Sequence, residues 1–409
     1  MSLHRDVASN TDLGLAPMEG VSDFPFRLWL SLCSNPTKAT TPFLRVTDTY
    51  PKRFDDNFAP EITWAQGFVA YKLSIQFMAA NPLDFIRTAS MLPNHVKELE
   101  LNCGCPSSNP VGGGAGSSLL KDVDSFKQFI ETICEKLYKR KLAVKIRTGF
   151  HTDNTFYQLI ESIKDLPLAK LTIHGRTKEQ RYSSFARWDL IEDAVEMVPF
   201  QVVASGDITC YDSLSERLKY HPKISHMIIG RGALRNPWIF DEVRQGQTVH
   251  ISPAALLQSL LAFAKLTDLF KQDPDSLKEL LNQSIGLNPC GTSESAWREL
   301  HEKLDDAYAR SKQGLALKKH SFNRLKLLWN YLRGHLPEVF FNPLLLRTKG
   351  IAEFEEFFQS IQRDHVFSQL ELKKQDAKDW IYTSDKKAPP GSYQQFLSNF
   401  QTSNNFDTL

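Results

Sequence analysis

Eight short apolar runs recur through the first 240 residues, each ending in polar or glycine residues: 13–18, 42–46, 73–78, 98–102, 142–148, 171–175, 201–206 and 227–230. Most are near-continuous in Val, Ile and Leu, the composition of strands buried on both faces of a parallel sheet. Segments long enough for crossover helices separate them, such as 122–140 and 154–165. Eight strand–helix units over this length predict an α/β chain that closes into a (β/α)8 TIM barrel. A doubly wound open sheet is the alternative, but it normally has fewer strands, and no G-x-G-x-x-G follows the first run.

Polar residues gather where these runs end. In order they are Pro17-Met18-Glu19, Arg45, Gln76, Asn102 with Cys105, Lys145 with Arg147, His174 with Arg176, Ser205-Gly206-Asp207 and Gly230-Arg231-Gly232. In a parallel barrel all these ends lie on one face, where catalytic and ligand groups collect. One polar strand end is ordinary capping; eight in succession are not. Gly206 and Gly230 follow the seventh and eighth runs, where barrels commonly bind phosphate on backbone N–H groups, and Arg231 adds a charge there. Two tight turns with an exposed arginine would read the same way, and Asp207 alone would serve as a turn cap. Lys145 is costly to bury without an anionic or electron-rich partner. Beside Gln76 and His174 it would suit the polar edge of a flavin ring, or else a structural salt bridge.

Asn102-Cys103-Gly104-Cys105-Pro106, leading into the glycine-rich 112–116, suggests a thiol held over a pocket by a loop. A sharp turn with two buried structural cysteines is the plainer reading. The two thiols lie two residues apart and on a strand would share a face, so spacing cannot choose between them. Six cysteines at 33, 103, 105, 134, 210 and 290 form no compact disulfide framework, and none has zinc-like spacing. No metal is expected.

With 42% hydrophobic and 23% charged residues, the 409-residue chain has the make-up of an ordinary globular protein, and +2 net charge excludes a uniformly basic nucleic-acid coat. No signal peptide is read, and no uninterrupted apolar stretch approaches the roughly 18–20 residues of a membrane span. A cytoplasmic monomer is expected. The domain expectation is a barrel at 1–244, a helical domain at 245–372 with a polar insertion of uncertain order around 271–316, and a loosely attached extension at 373–409. Within the helical part, 318–333 carries an apolar stripe of Phe322, Leu325, Trp329 and Leu332, and 318–349 holds seven basic residues against one acid, Glu338. Lys319, Lys326 and Arg333 recur every seven positions and form one basic stripe.

Five motifs taken together resemble the tRNA-dihydrouridine synthases. They are Ala16-Pro17-Met18-Glu19-Gly20-Val21, Asn102-Cys103-Gly104-Cys105-Pro106, Val144-Lys145-Ile146-Arg147, His174-Gly175-Arg176-Thr177 and Ile229-Gly230-Arg231-Gly232. The match runs from about residue 13 to 240 and resumes over 318–347. Pro42-Phe43-Leu44-Arg45-Val46, Cys103 ahead of Cys105, and Thr177-Lys178-Glu179-Gln180 resemble the C-type bacterial branch, which reduces the uridine at tRNA position 16.

The resemblance implies an FMN-holding barrel, NADPH as reductant, a C-terminal helical domain and a tRNA substrate. It implies Pro17, Met18 and Glu19 lining the flavin; Gln76, Lys145 and His174 on its ring; and Ser205, Gly206, Asp207, Gly230 and Arg231 on its phosphate side. Ser205 stands where the family usually has asparagine. Cys105 takes the position of the catalytic cysteine and Asn102 that of the residue facing the target base, with Cys103 left to packing. Arg324, Lys326, Tyr331 and Arg347, with Arg45 and Tyr182 on the barrel, match positions that orient tRNA. The rival expectation is another FMN-dependent barrel oxidoreductase acting on a small-molecule enone or pyrimidine. A third is an RNA-binding protein that kept the fold without flavin.

Overall fold

The computed structural model describes residues 12–48, 58–106, 114–283, 290–310, 317–332, 336, 340, 344–364 and 370–371. The expected extension at 373–409 and Arg333 of the basic stripe lie outside them. Nine strands form one parallel sheet: β1 (Asp12–Leu15), β2 (Lys38–Thr40), β3 (Leu44–Val46), β4 (Lys72–Ala79), β5 (Glu98–Cys103), β6 (Lys141–Arg147), β7 (Leu168–His174), β8 (Gln201–Ser205) and β9 (His226–Ile229). β1 pairs with both β2 and β9, and β2 with β4, so eight strands close on themselves as a (β/α)8 barrel.

The expected second strand at 42–46 needs correction. The barrel's second strand starts earlier, at Lys38–Thr40, and β3 continues it along the same edge of β4. Between them the register slips by one residue, from Lys38↔Lys72 to Leu44↔Phe77. Pro42, which has no N–H for the ladder, falls in that break. A three-residue strand containing a lysine gives too weak a pattern to stand out beside the more apolar 42–46.

The strands are buried on both faces, yet their two faces differ. On β5, Leu99, Leu101 and Cys103 join the core beneath the helices, while Glu100 and Asn102 occupy the alternate face toward the barrel axis. Parallel pairing carries that axial face round to Lys145, Thr172, His174 and Ser205.

The helices α1 (Phe24–Cys33), α2 (Pro82–Met91), α3 (Val123–Lys136), α4 (Phe156–Ile163), α5 (Trp188–Met197), α6 (Tyr211–Tyr220), α7 (Arg231–Arg235) and α8 (Ile239–Gln245) follow the strands in sequence. After them come α9 (Pro253–Gln272), α10 (Pro274–Gln283), α11 (Glu294–Arg310) and α12 (Lys319–Leu332). α9 is apolar nearly all round, as expected of a helix enclosed by others. By length and composition it could cross a membrane, which the sequence reading did not find, but it is mostly buried inside the fold. Trp29 on α1 donates its indole N–H to the Ser259 carbonyl at 2.7 Å, and Phe26 and Trp29 pack on Phe263.

The supposed insertion is largely folded. α10 buries Leu277, Leu280 and Leu281, and α11 buries Trp297, Leu300, Leu304 and Ala307. Their polar outer faces made the segment look unstructured. Between them the Gly291 carbonyl accepts indole N–H bonds from Trp238 at 2.6 Å and Trp297 at 3.0 Å, which ties the segment to α8's approach. Asp268 on α9 accepts from Tyr308 on α11 at 3.1 Å and from Ser321 on α12 at 2.8 Å. A short antiparallel pair, His250–Ile251 with Leu370–Glu371, joins the start of the helical part to its end.

Below α1, Arg27 forms a fully buried bidentate pair with Glu61 at 2.7 and 2.8 Å, and Tyr71 donates to the same carboxylate at 2.8 Å. Removing one partner of such a pair strands the other charge without water. Arg27→Met should therefore cost about 3–5 kcal/mol in urea unfolding.

Candidate functional site

The parallel register sets the polar strand ends side by side. Asn102 pairs with Lys145, Arg147 with His174, and His174 with Ser205. Gln76 lies opposite Glu100 one strand away. The sequence expectation that these groups share one barrel end is met at this mouth.

β5 ends at Cys103, and this separates the two thiols. Cys103 is fully buried in the core under the helices, which pushes its thiol pKa far up. After Gly104 the chain turns, and Cys105 lands at the mouth against Met78, Ala115 and Phe43. The expectation that both cysteines share a face fails, because the strand stops before the second one. Three side chains hold the Cys105 loop. The Asn102 side-chain oxygen accepts the backbone N–H groups of Gly104 and Cys105, each at 2.9 Å. Arg147 Nε donates to the Gly104 carbonyl at 2.7 Å, and Ser117 Oγ to the Cys105 carbonyl at 2.8 Å. Gly116 lies over the thiol's own carbon, where a Cβ would meet Cys105 Cβ and Met78 Sδ at 3.2 Å.

Asn102 and Gln76 are less open than expected. Asn102 Nδ2 donates to Gln76 Oε1 at 2.8 Å, and Gln76 Nε2 donates to Glu100 Oε1 at 2.6 Å. Both amides are thus engaged within the barrel. Lys145, half-buried beside them, has no hydrogen-bond or ion-pair partner among the described residues. Burial lowers its pKa to about 8, opposed by the charge of Glu100.

His174 is surrounded by cations. Burial first, then Arg147, Arg176, Lys145 and Arg231, hold its pKa well below the usual value, so the ring is neutral at pH 7. Arg176 Nη1 lies 3.3 Å from His174 Nε2 and, having only donors, assigns that nitrogen as acceptor. The same Arg176 pairs with Asp207 at 2.5 Å, and Asp207 also receives the Ala186 N–H at 2.8 Å. The Asp207 carboxylate is thus committed to the loops and positions them, and its backbone carbonyl accepts from Arg217 Nε at 3.1 Å.

Gly206 has φ +131, and a Cβ there would stand 2.6 Å from Ala186 Cβ, so only glycine fits. Gly230 abuts Ala16 and Met18, whose N–H is held by Ser22 Oγ at 2.8 Å. Pro17 and Met18 are half-buried here and Glu19 is exposed. Ser205 is buried at the end of β8. Arg231 lays its guanidinium 3.6 Å from the Tyr182 ring centroid, a cation–π stack at the rim.

The helical-domain expectations change most. Arg324 pairs with both carboxylate oxygens of Asp23 and donates to the Val21 carbonyl at 2.9 Å. Lys326 Nζ donates to the carbonyls of Thr348 at 3.2 Å and Leu346 at 3.4 Å. Both therefore fasten elements together, and the expected basic stripe is in part internal. Tyr331 is half-buried near Arg231, while Arg347 and Arg45 are exposed.

The sequence placed no role on Glu100, Ser117 or Thr172 and gave Arg147 and Arg176 as strand-end polar residues and members of the family motifs, with no role at the site. Alternation along Glu98–Cys103 was the signal that could have found Glu100. Among the described residues no group of three or more His, Cys, Asp or Glu side chains could hold a metal.

A closed parallel barrel whose mouth gathers Lys145, Arg147, Arg176 and Arg231 defines a (β/α)8 protein. Residues 14–320 match the family described as Dihydrouridine synthase (Dus), and the chain belongs to that family. A protein of Oryza sativa subsp. japonica named tRNA-dihydrouridine(47) synthase, NAD(P)(+)-like, is 36% identical over 42% of this chain and 26% of its own length. A Probable tRNA-dihydrouridine synthase of Rickettsia conorii is 26% identical over 71% of this chain and 85% of its own. The tRNA-dihydrouridine synthase B of Pasteurella multocida is 29% identical over 55% and 67%. The chain thus spans about a quarter of the rice relative's length. These names support the family and not the C-type branch.

The pH dependence of Lys145 follows from its environment. Above pH 8 the folded protein releases this proton while the unfolded chain, near the ordinary 10.5, keeps it. The unfolded state then binds more protons, so stability rises with pH across that window. Without a bound anion, urea midpoints should climb from pH 8 to 10, and Lys145→Met should flatten the climb.

Proposed function

We propose that the chain reduces a uridine of tRNA to 5,6-dihydrouridine, with FMN held at the barrel mouth and NADPH as reductant. The observation that carries this is Cys105, turned out of the strand and held by Asn102, Arg147 and Ser117 beside a cationic cradle. The residues fit such a cofactor: Lys145 has no partner among the described residues, His174 is a neutral ring among cations, and Gly206 and Gly230 leave backbone close to the opening. Lys145, His174 and Gln76 would hold the ring, with Pro17, Met18 and Glu19 along it. Ser205, Gly206, the Asp207 backbone, Gly230 and Arg231 would hold the phosphate.

When bound and reduced, a flavin supplies hydride, here to C6 of the uracil ring. The Cys105 thiol would give its proton to C5 as the ring takes up negative charge, and a general acid of this kind contributes about 10²–10⁴-fold. Dry packing against Met78 and Ala115 keeps water from competing. The base must leave its stack to arrive, and Asn102 would face it at the mouth. Arg45, Tyr182, Tyr331 and Arg347 would contact the tRNA. Arg324 and Lys326 would act by fixing the helix that presents them.

Position is the finer part of this reading. The C-type resemblance of 42–46 and 177–180 supports uridine 16 in the D-loop, whereas relatives named for position 47 point elsewhere. Mass spectrometry of tRNA from cells with and without the gene should show a two-dalton change at uridine 16, and a change at 47 instead would reassign the position. Cys105→Ala should keep flavin and its reduction by NADPH, yet lose on the order of 10²–10⁴-fold in uridine reduction. Full activity of that variant on unmodified tRNA, or turnover of free enones in place of tRNA, would overturn the proposal.

A further inference from the structure

We infer that Glu100 is a positioning residue for the Cys105 loop, because it fixes which way two buried amides face. The inference rests on the proposed role of Cys105 and names the group that aims it. Glu100, Gln76 and Asn102 stand in series, 1%, 0% and 7% exposed, so water offers no substitute bonds. A carboxylate only accepts, and backbone N–H groups only donate, whereas a side-chain amide donates at one end and accepts at the other.

These rules leave one arrangement. Glu100 Oε1 demands the NH2 of Gln76, at 2.6 Å. The Gln76 oxygen then faces Asn102 and demands its NH2, at 2.8 Å. The Asn102 oxygen is left toward the N–H groups of Gly104 and Cys105, at 2.9 Å each. Turning Gln76 round sets its oxygen against Glu100 and its NH2 against that of Asn102, and turning Asn102 sets its oxygen against that of Gln76 and its NH2 against the backbone N–H groups. Direction set by one acid is thus transmitted over two side chains to the backbone of the thiol.

The acid is itself held. Thr172 Oγ1 donates to its second oxygen at 3.3 Å, and Lys145 and Lys170 both feel its charge. Gln76 is anchored separately, its backbone N–H on Thr41 Oγ1 at 3.0 Å. Arg147 and Ser117 grip the same loop by its carbonyls, while Asn102 holds its N–H side.

The test is Glu100→Gln, which keeps the shape and removes the sense of direction. In the purified holoprotein, iodoacetamide labelling of Cys105, read by peptide mass spectrometry, should speed up on the order of tenfold. Cys103 should stay unlabelled. With tRNA, kcat should fall while KM stays within about twofold. The double substitution Gln76→Glu with Glu100→Gln moves the carboxylate one link along, where it still accepts from the Asn102 amide. Its Cys105 labelling should return to within about twofold of the unsubstituted rate, even where the single variant folds poorly. Unchanged labelling in the single variant, or a double variant labelled as fast as the single, overturns the inference. Labelling reads geometry and Cys105→Ala reads activity, so either idea can fail without the other.

Discussion

Asn102 beside Lys145, Arg147 beside His174 and His174 beside Ser205 are consequences of parallel ladder pairing in a closed ring, and the mouth exists only while that ring is closed. Parallel pairing puts every strand's carboxyl end at the same level, so groups from distant parts of the sequence meet without any long-range design in their own loops. A slip of one residue at any ladder would turn Lys145 or His174 into the helix layer. Two slips do occur: one between β2 and β3, beside Phe43, which packs on Cys105, and one in the β6–β7 ladder between Leu142 and Ala143, before the register reaches Lys145 and His174.

That closed ring also decides the electrostatics. The axial face carries charged and amide groups that would be too costly singly, but each is matched by a neighbour: Arg176 by Asp207, Lys170 by Glu98, Gln76 by Glu100. Lys145 is the exception, with no such partner among the described residues. Its surroundings lower its proton affinity without removing the charge at neutral pH, while His174 nearby is kept neutral. Two basic groups on adjacent strands are thus held in opposite protonation states by burial and by the arginines around them.

The strand count, the barrel and the family were legible because near-regular apolar runs and motif order survive local variation. The strand ends at 76, 102, 145, 174, 205 and 230 were legible for the same reason. What sequence could not give was allegiance. Lys326 read as part of a basic stripe and Arg324 as a tRNA-orienting position, since a charged residue on a helix looks the same in sequence whether it meets phosphate, carboxylate or a carbonyl. Asp207 read as a phosphate-side residue, although its carboxylate belongs to Arg176. The segment holding α10 and α11 read as uncertain because half-buried helices on a crowded flank need few apolar residues. Cys103 and Cys105 were separable only once the end of β5 was known.

The Arg324–Asp23 contact joins residues 301 positions apart, and Asp23 also caps the first helix of the barrel. During synthesis the ribosome releases the loop at Val21 long before it makes the guanidinium that closes on it. The nascent barrel therefore emerges with this edge unfastened, and the finished clasp records that translation has passed the helical segment. Chains cut short after the ninth strand would carry the thiol and the cationic mouth but leave Asp23 with its helix cap alone, without the guanidinium that meets it in the whole chain.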